Sequence, residues 1–373
     1  MRRSIVLAGS VYLALLPLAC RPSFGSRVED EVRRVGGSVY RDKSTLAEPI
    51  NDVNLVNVRE ADQPLRLLAD LPRLRLLDLS NSGVTDDGLR NLAGMTQLEK
   101  LDLKKTGVTD AGLAHLAGMT GLRQLTLTET GVTDAGLSHL AGLSGLELLN
   151  LTRTRVTGAG LAHPPGLAGL QHLYLDGAPV TDDGLAHFAG CANLRELRLS
   201  ETRVTDAGLK HLAGLTQLQT LILDRTPATD QGVAHLDGLG QLESLSLADT
   251  GITDRTLARL AGRTRLTGLN FARTRVTDAG LEHLAGLTQL TELILSETGV
   301  TDAGLAHLAG LTRLRVLQLD RTAVTDAGLT HLSRLTGLRV LGVAGTKVTD
   351  VGAAALRQQL PQCRVLGAAP PKR

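Results

Sequence analysis

Histidine recurs at one position of the sequence at intervals of 24 residues, an arrangement that could bind a row of metal ions. A zinc ion needs imidazole nitrogens about 2.1 Å away, whereas neighbouring helices usually lie about 8–10 Å apart. No second type of metal ligand stands beside the histidines. We therefore interpret them as structural or solvent-facing, and a metal-binding protein that uses this column remains the alternative. The column comprises His115, His139, His163, His187, His211, His235, His283, His307 and His331.

Two further columns have residue types that occur in active sites. Aspartate could bind calcium, but a calcium ion needs several oxygens at about 2.3–2.6 Å, and each copy supplies one, so we expect the aspartates to stabilise helix N-termini. Threonine could be a nucleophile, but no base accompanies it, so we expect it to bond turn backbone. The columns begin with Asp86, Asp110, Asp134 and Asp182, and with Thr106, Thr130 and Thr154.

The elements that carry these columns follow from the 24-residue period, which runs from Val84 to Val348 without an insertion. The stretch LRQLTL (122–127) alternates apolar and polar residues, which predicts a short strand. VTDAGLAHLAG (108–118) predicts a short helix with Thr109 as its N-cap and a left-handed Gly118 at its end. Neither element can bury its leucines alone, so stacking of the units must form the core.

The pattern L-x-x-L-x-L-x-x-T followed by V-T-D-A-G-L resembles leucine-rich repeats, specifically bacterial 24-residue repeats and the related cysteine-containing and GALA-type repeats. The resemblance covers residues 53–367. It implies an α/β fold, a right-handed solenoid or horseshoe with a parallel concave sheet and short convex helices. It also implies protein binding without a shared catalytic residue. Related repeats occur in substrate receptors of ubiquitin ligases, but those carry an F-box segment, which we do not find here.

One group of residues that differ between units could form a binding site on the concave face. Because strand residues alternate between faces, one unit projects His172, Tyr174 and Asp176, the next projects Glu196 and Arg198, and the preceding one projects Asn150. Tyr174 is the only aromatic residue that we predict on this face, and Tyr and Arg are frequent in interface hot spots. The unit at 156–179 is irregular, with Gly158 in place of Asp and Pro164–Pro165 in its helix. Either this irregular unit marks the binding site, or its sequence has drifted without functional consequence.

Charged residues of nearly alternating sign follow the strands by two positions. Neighbouring strands lie about 4.8 Å apart, so we expect opposite charges to face each other, with small effects on stability. The column begins with Lys105, Glu129 and Arg153. A smaller apolar set, Ile222, Ile294, Val316 and Val340, is a second candidate patch.

The composition argues against a nucleic-acid partner, because the net charge is +2 with mixed signs and aromatic residues are 2%. Cys191 and Cys363 lie too many units apart for a disulfide, so we predict that Cys191 is a small core residue. We find no nucleophile–base pair, mixed metal-ligand cluster or phosphate-binding loop. We therefore expect neither an enzyme nor a cofactor, and we expect a monomer.

The first 20 residues combine Arg2 and Arg3 with an apolar run that ends at Cys20, which is typical of a signal peptide. LPLAC resembles a lipoprotein lipobox, with Pro17 in an unusual position, so the alternatives are lipidation of Cys20, plain secretion, or an uncleaved or meaningless apolar start. We predict a signal peptide at 1–20, a linker and cap at 21–52, the repeat array at 53–349, and a cap and tail at 350–373.

These features predict a non-enzymatic binding module of the cell envelope or exterior. Its partner would be a protein or peptide, with an extracellular glycan as an alternative, and it would meet a membrane only through a lipid anchor at Cys20. An intracellular adaptor or substrate-receptor subunit, and an array that is purely a scaffold, remain alternatives.

Overall fold

The computed structural model describes residues 24–44, 49–162 and 167–369, which share one 15-stranded sheet. The strands follow one another in chain order; β1 pairs with β2 in antiparallel fashion, and β2 to β15 are parallel. The strands are β1 Ser38–Arg41, β2 Ile50–Asn54, β3 Leu76–Asp78, β4 Lys100–Asp102, β5 Gln124–Thr126, β6 Leu148–Asn150, β7 His172–Tyr174, β8 Glu196–Arg198, β9 Thr220–Ile222, β10 Ser244–Ser246, β11 Gly268–Asn270, β12 Glu292–Ile294, β13 Val316–Gln318, β14 Val340–Gly342 and β15 Arg364–Leu366.

The layer opposite the sheet consists of short helices, so the predicted α/β solenoid with a parallel sheet is confirmed. The α-helices are α1 Phe24–Arg34, α2 Asp62–Leu68, α3 Asp86–Leu89, α4 Asp110–Leu113, α5 Asp134–Leu137, α6 Asp182–Leu185, α7 Asp206–Leu209, α8 Asp230–Val233, α9 Asp254–Leu260, α10 Asp278–Leu281, α11 Asp302–Leu305, α12 Asp326–Leu329 and α13 Asp350–Gln359. None of these helices is long and apolar enough to cross a bilayer.

Most units continue from one α-helical turn into a 3₁₀ turn, and the unit of Gly158 has a 3₁₀ turn with no α-helix before it among the described residues. These turns are Arg90–Leu92, Ala114–Leu116, Ser138–Gly142, Ala159–Leu161, Ala186–Gly190, Lys210–Leu212, Ala234–Leu236, Glu282–Leu284, Ala306–Leu308 and Thr330–Leu332. Thr109 caps its helix as predicted, by accepting a hydrogen bond from the amide of Ala111. The left-handed conformation predicted for Gly118 is wrong: Ala117 has φ −55° and ψ −28°, a right-handed turn that needs no positive φ afterwards.

The core is a continuous column of aliphatic side chains between the sheet and the helices. Leu113, Leu116, Leu122 and Leu125 have no exposed surface, and burying one such side chain contributes about 1.5–3 kcal/mol. Cys191 is 3% exposed in a position that Leu or Met fills in most other units, which confirms the prediction that it is a small core residue. Burial raises the pKa of the Cys191 thiol to about 11, so the thiol is not ionised at neutral pH.

The threonine column closes the turn after most strands, as predicted. Thr106 Oγ1 donates to the carbonyl of Leu103 at 2.7 Å, and Thr130 and Thr154 make the same bond to Leu127 and Leu151. These threonines are buried, so the bond satisfies a carbonyl that water does not reach.

The aspartate column joins most units to the next, a role that the sequence did not lead us to expect. Asp86 Oδ1 accepts from the backbone amide of Thr109 at 2.8 Å, and Oδ2 accepts from Thr109 Oγ1 at 2.6 Å. The same aspartate begins α3, so it acts at its own helix and at the next unit. We call this pair of bonds the Asp–Thr clamp. It occurs at Asp62–Thr85, Asp86–Thr109, Asp110–Thr133, Asp134–Thr157, Asp182–Thr205, Asp206–Thr229, Asp230–Thr253, Asp254–Thr277, Asp278–Thr301, Asp302–Thr325 and Asp326–Thr349.

The charged column forms the predicted ladder of ion pairs and also has a left-handed backbone. Lys105 and Arg153 each lie 3.7 Å from Glu129, and Arg225 lies 2.6 Å from Glu201. All of these residues have φ between 54° and 59°. In this left-handed region the backbone of a residue that has a Cβ atom is strained. Glycine occupies the column at Gly177, with φ 68°.

We expect Arg153→Gly to stabilise the protein by about 1 kcal/mol, because glycine removes the strain of a left-handed residue. The lost ion pair to Glu129 is long, and 61% of the Arg153 side chain is exposed, so its contribution is small. Urea unfolding followed by circular dichroism measures the change. A lower urea midpoint for the variant than for wild type would show that the ion pair stabilises the protein by more than the strained backbone destabilises it.

Candidate functional site

The predicted concave site lies on β7 and β8. Leu173 and Leu197 point into the core, so the residues on either side of them face outward. In the parallel register, His172 lies beside Glu196, and Tyr174 lies beside Arg198. Four of the predicted site residues therefore lie together on the sheet face.

The carboxylate of Glu196 connects these four side chains, which we call the Glu196 cluster. Tyr174 Oη donates to Glu196 Oε2 at 3.0 Å, and His172 Nδ1 lies 3.2 Å from the same oxygen. Arg198 Nε donates to Glu196 Oε1 at 2.7 Å, and its guanidinium carbon lies 4.6 Å from the centre of the Tyr174 ring. This separation is within the range of a cation–π contact, so the cluster presents a fixed aromatic and cationic surface.

The electrostatics of the cluster favour an ionised Glu196. Burial by itself raises the pKa of Glu196, but the bonds from Arg198, Tyr174 and His172 outweigh it, so the pKa lies below its usual value. Burial and the neighbouring Glu196 carboxylate raise the pKa of Tyr174, which keeps its hydroxyl protonated as a donor. The cluster therefore holds a glutamate–arginine pair under a neutral tyrosine.

The other predicted site residues make separate contacts. Asp176 Oδ1 accepts from the amide of Ser200 at 2.8 Å, and Asn150 Oδ1 accepts from the amide of Thr152 at 3.0 Å. Both side chains thus stabilise strand ends beside the cluster rather than joining it. Cys20, the predicted lipidation site, lies outside the described residues.

The Glu196 cluster bridges the two units between which the Asp–Thr clamp is missing. Gly158 stands where the other units have the clamping aspartate, and Thr181 donates its amide to the carbonyl of Thr157 at 3.2 Å instead. Gly158 has φ 99°, and a Cβ on it would lie 2.9 Å from the Cα of Gly184, so the two backbones approach closely here. The cluster thus supplies side-chain bonds across a joint that lacks the usual ones.

Tyr174 shares the sheet face with a second tyrosine, contrary to the prediction that it is the only aromatic residue there. Tyr40 on the edge strand β1 pairs with Asp52, whose side chain faces outward, and Tyr40 is 56% exposed. In the second candidate patch, Val316 and Val340 are register partners, whereas Ile222 lies on β9.

At the amino-terminal end of the sheet face, partial burial makes the ionised form of an acidic side chain less favourable. Burial raises the pKa of Asp102, as does the nearby Asp78, although Asp102 Oδ1 accepts a bond from the amide of Lys104. An acid with a raised pKa destabilises the folded state when it is ionised, and the penalty disappears as pH falls through the raised value.

We therefore expect Asp102→Asn to raise the unfolding free energy at pH 7 by up to about 1 kcal/mol. The asparagine oxygen can still accept from Lys104, so the bond is kept. Urea titrations of both proteins at pH 7 and pH 4 measure the effect, which should shrink in acid. A gain that persists unchanged at pH 4 would exclude ionisation of Asp102 as the cause.

The histidine column lies on the 3₁₀ turns of the helical layer; His115 and His139, for example, are half-buried there. Among the described residues, no three His, Cys, Asp or Glu side chains come together in a way that could hold a metal ion. The structure therefore gives the metal-binding alternative no supporting geometry, and His163 of this column lies outside the described residues.

Comparison with known proteins supports the assignment of the fold. The leucine-rich-repeat family matches residues 72–93 and 190–213. An internalin from Listeria monocytogenes is 22% identical, with a TM-score of 0.70 over 94% of this chain and 95% of its own. A leucine-rich-repeat protein of Leptospira interrogans is 16% identical, with a TM-score of 0.53 over 80% of this chain and 85% of its own. No curated protein matches the sequence.

The repeat, the sheet and the two matches to the family model together give this chain the leucine-rich-repeat fold.

Proposed function

We propose that the protein is an exported, non-enzymatic binding module that holds a protein or peptide on its sheet face, at the Glu196 cluster. The observation that carries this proposal is the Arg198 guanidinium, fixed by Glu196 and placed 4.6 Å from the Tyr174 ring. Tyrosine and arginine dominate interface hot spots, and side chains that are already ordered lose little entropy on binding.

The surroundings of the cluster suit a partner that approaches closely. The outward-facing positions directly beside the cluster carry uncharged side chains: Thr220 and Ile222 on β9, and Leu148 and Asn150 on β6. The Arg198 side chain is 45% exposed while its charge is paired with Glu196. The surface therefore favours a partner with apolar or aromatic groups and a few hydrogen-bond acceptors, rather than a strongly charged one.

The family supports binding as the type of function. One solved structure with this fold, at a TM-score of 0.53, is titled as a receptor. For this chain a peptide or protein partner is our inference, and an extracellular glycan would be distinguished by resistance of the captured ligand to protease.

We also propose the domain limits and the export given by the sequence. In the cap at 21–52, α1 buries Val28 and Val32 completely against the first strands. In the cap and tail at 350–373, α13 and β15 lie beside the last full unit. Mass spectrometry of the protein from its native cells tests export: a lipid mass on Cys20 supports anchoring, cleavage without lipid supports secretion, and an intact leader in the cytosol supports the adaptor alternative.

A cross-linking pull-down from the native envelope fraction tests the site. The variant Tyr174→Ala, Arg198→Glu removes the hot spot, while Arg321→Glu makes an equal charge reversal on the exposed ladder as a control. We expect wild type and the control to capture the same partner and the double variant to lose it, with unchanged circular dichroism. Equal capture by all three proteins would exclude the cluster as the binding site.

A further inference from the structure

The edge of the sheet where the strands begin carries several clefts lined by arginine. One of them, of about 640 Å³, includes Arg73, Arg75, Arg123, Asp42 and Glu99. Arg75 lies 3.3 Å from Glu99, and Arg123 also pairs with an acid, Glu147, at 2.5 Å. Two of the three arginines in this cleft are therefore paired with acids, and Asp42 adds a further negative charge to the lining.

A second cleft is also internally neutralised. Its lining includes Arg259, Arg263, Arg265 and Asp237. Asp237 pairs with Arg259 at 3.0 Å and with Arg263 at 3.3 Å, and Arg265 pairs with Glu243 at 2.9 Å. These two clefts show how the array usually compensates arginines at this edge.

The third cleft, of about 530 Å³, is lined by Thr291, Arg313, Arg315, Gly337 and Arg339, without an acidic residue. It occupies the same repeat positions as the first cleft, ten units later. Arg313 and Arg315 correspond to Arg73 and Arg75, but Arg339 stands where the first cleft has Glu99. The residue that would neutralise the cleft is thus replaced by a third arginine.

The three guanidinium groups have neutral partners or none within the described part of the chain. Arg313 donates to the side-chain oxygen of Gln289, and Arg339 Nη1 donates to the carbonyls of Thr336 and Leu338 at 3.2 Å each. Arg315 makes no side-chain hydrogen bond or ion pair with the described residues. The Arg339 amide donates to the Arg315 carbonyl at 2.8 Å, so the two arginines lie on adjacent chain segments.

Like charges held side by side repel each other, and neutral acceptors orient a guanidinium without cancelling its charge. An external anion removes this repulsion and accepts from the N–H groups that remain. Guanidinium groups bind phosphate and sulfate oxygens in bidentate fashion. We propose that this cleft, which we call the Arg315 cleft, binds a phosphate or sulfate ester. It lies at the starts of β13 and β14, six strands from the Glu196 cluster, so it is independent of the proposed function.

Isothermal titration at low ionic strength with tripolyphosphate and, separately, a persulfated disaccharide tests the proposal. We expect saturable binding to wild type, about tenfold weaker binding to Arg315→Ala, and no binding to Arg339→Glu, which introduces the pair seen at Arg75–Glu99. Arg75→Ala is the matched control and should bind like wild type. Circular dichroism and thermal unfolding verify that each variant folds.

The comparison of the two probes identifies the source of the anion. Tighter binding of tripolyphosphate supports a phosphate ester, tighter binding of the disaccharide supports a sulfate ester, and equal binding supports recognition of the shared oxyanion. Absence of saturable binding by both probes would overturn the proposal. So would an equal loss of affinity in Arg75→Ala, because it would show general attraction to the protein's charge.

Discussion

Replacing Asp134 by alanine is expected to lower the unfolding free energy by about 3 kcal/mol, since it removes four hydrogen bonds from half-buried surroundings, each of which contributes about 0.5–1.5 kcal/mol. Asp134 accepts from the amides of Thr157, Gly158 and Gly160 and from the hydroxyl of Thr157. It lies directly before the joint that lacks a clamp, at Gly158 and Thr181. Urea unfolding should therefore separate into two transitions, because stability in repeat proteins depends on contacts between neighbouring units.

Asp302→Ala is the matched control for this prediction. Asp302 accepts only the two bonds of an ordinary clamp among the described residues, from the amide and the hydroxyl of Thr325. We expect a loss of about 1–2 kcal/mol and a single transition. Equal losses in the two variants would contradict the special role of Asp134, and no loss in either would contradict the clamp itself.

Glu196→Ala is expected to destabilise the protein by about 2–3 kcal/mol, because it leaves Arg198, Tyr174 and His172 without their shared acceptor. The side chain of Glu196 is only 17% exposed, and its contacts with Tyr174 and His172 cross the joint without a clamp. Glu297→Ala removes an acid that also contacts two arginines, but on the exposed ladder, so it should cost less than about 1 kcal/mol. Urea unfolding of both variants measures the difference.

The effect of Glu196 should depend on pH in a defined direction. A carboxyl whose pKa is lowered by folding stabilises the protein above its unfolded pKa of about 4.3, and this contribution is lost as pH falls through the folded value. The gap between wild type and Glu196→Gln should therefore close in acid. A gap that is equal at pH 7 and pH 3, or a loss no larger than that of Glu297→Ala, would show that the cluster contributes little to the joint.

The register of the sheet was predictable because it depends on the 24-residue period, which is visible in the sequence. A shift of one residue would bring Leu125 to the outer face, so Leu101 and Leu125 can pair in only one way. The bond from Thr106 to the turn was predictable for a similar reason: a buried carbonyl after a strand needs a donor.

The contacts between units were harder to predict from one repeat. Asp86 is well placed for its own helix, and nothing in the sequence of a single unit shows that Thr109 of the next unit lies within reach. The left-handed backbone at Lys105 and Glu129 was missed because glycine, the usual sign of positive φ, is absent from most of that column. The error at Gly118 has the opposite cause, since a glycine stands where a right-handed turn does not require it.

The candidate site was predictable as a group of residues on one face but not as a bonded cluster. Alternation along the strands placed Tyr174 and Arg198 side by side. Which side chains share Glu196 depends on rotamers and distances that alternation does not determine. The same limit explains why Asn150 and Asp176 were assigned to the site although each bonds a nearby backbone amide.

Site-specific photo-cross-linking tests the central claim most directly. A benzophenone amino acid at Thr220, beside Glu196 on the sheet face, is compared with one at the exposed Thr330 in the helical layer, using the native envelope fraction. We expect one cross-linked partner from position 220, none from position 330, and loss of the product when Tyr174→Ala is added. A partner captured from position 330, or capture from 220 that Tyr174→Ala leaves unchanged, would contradict binding at the Glu196 cluster.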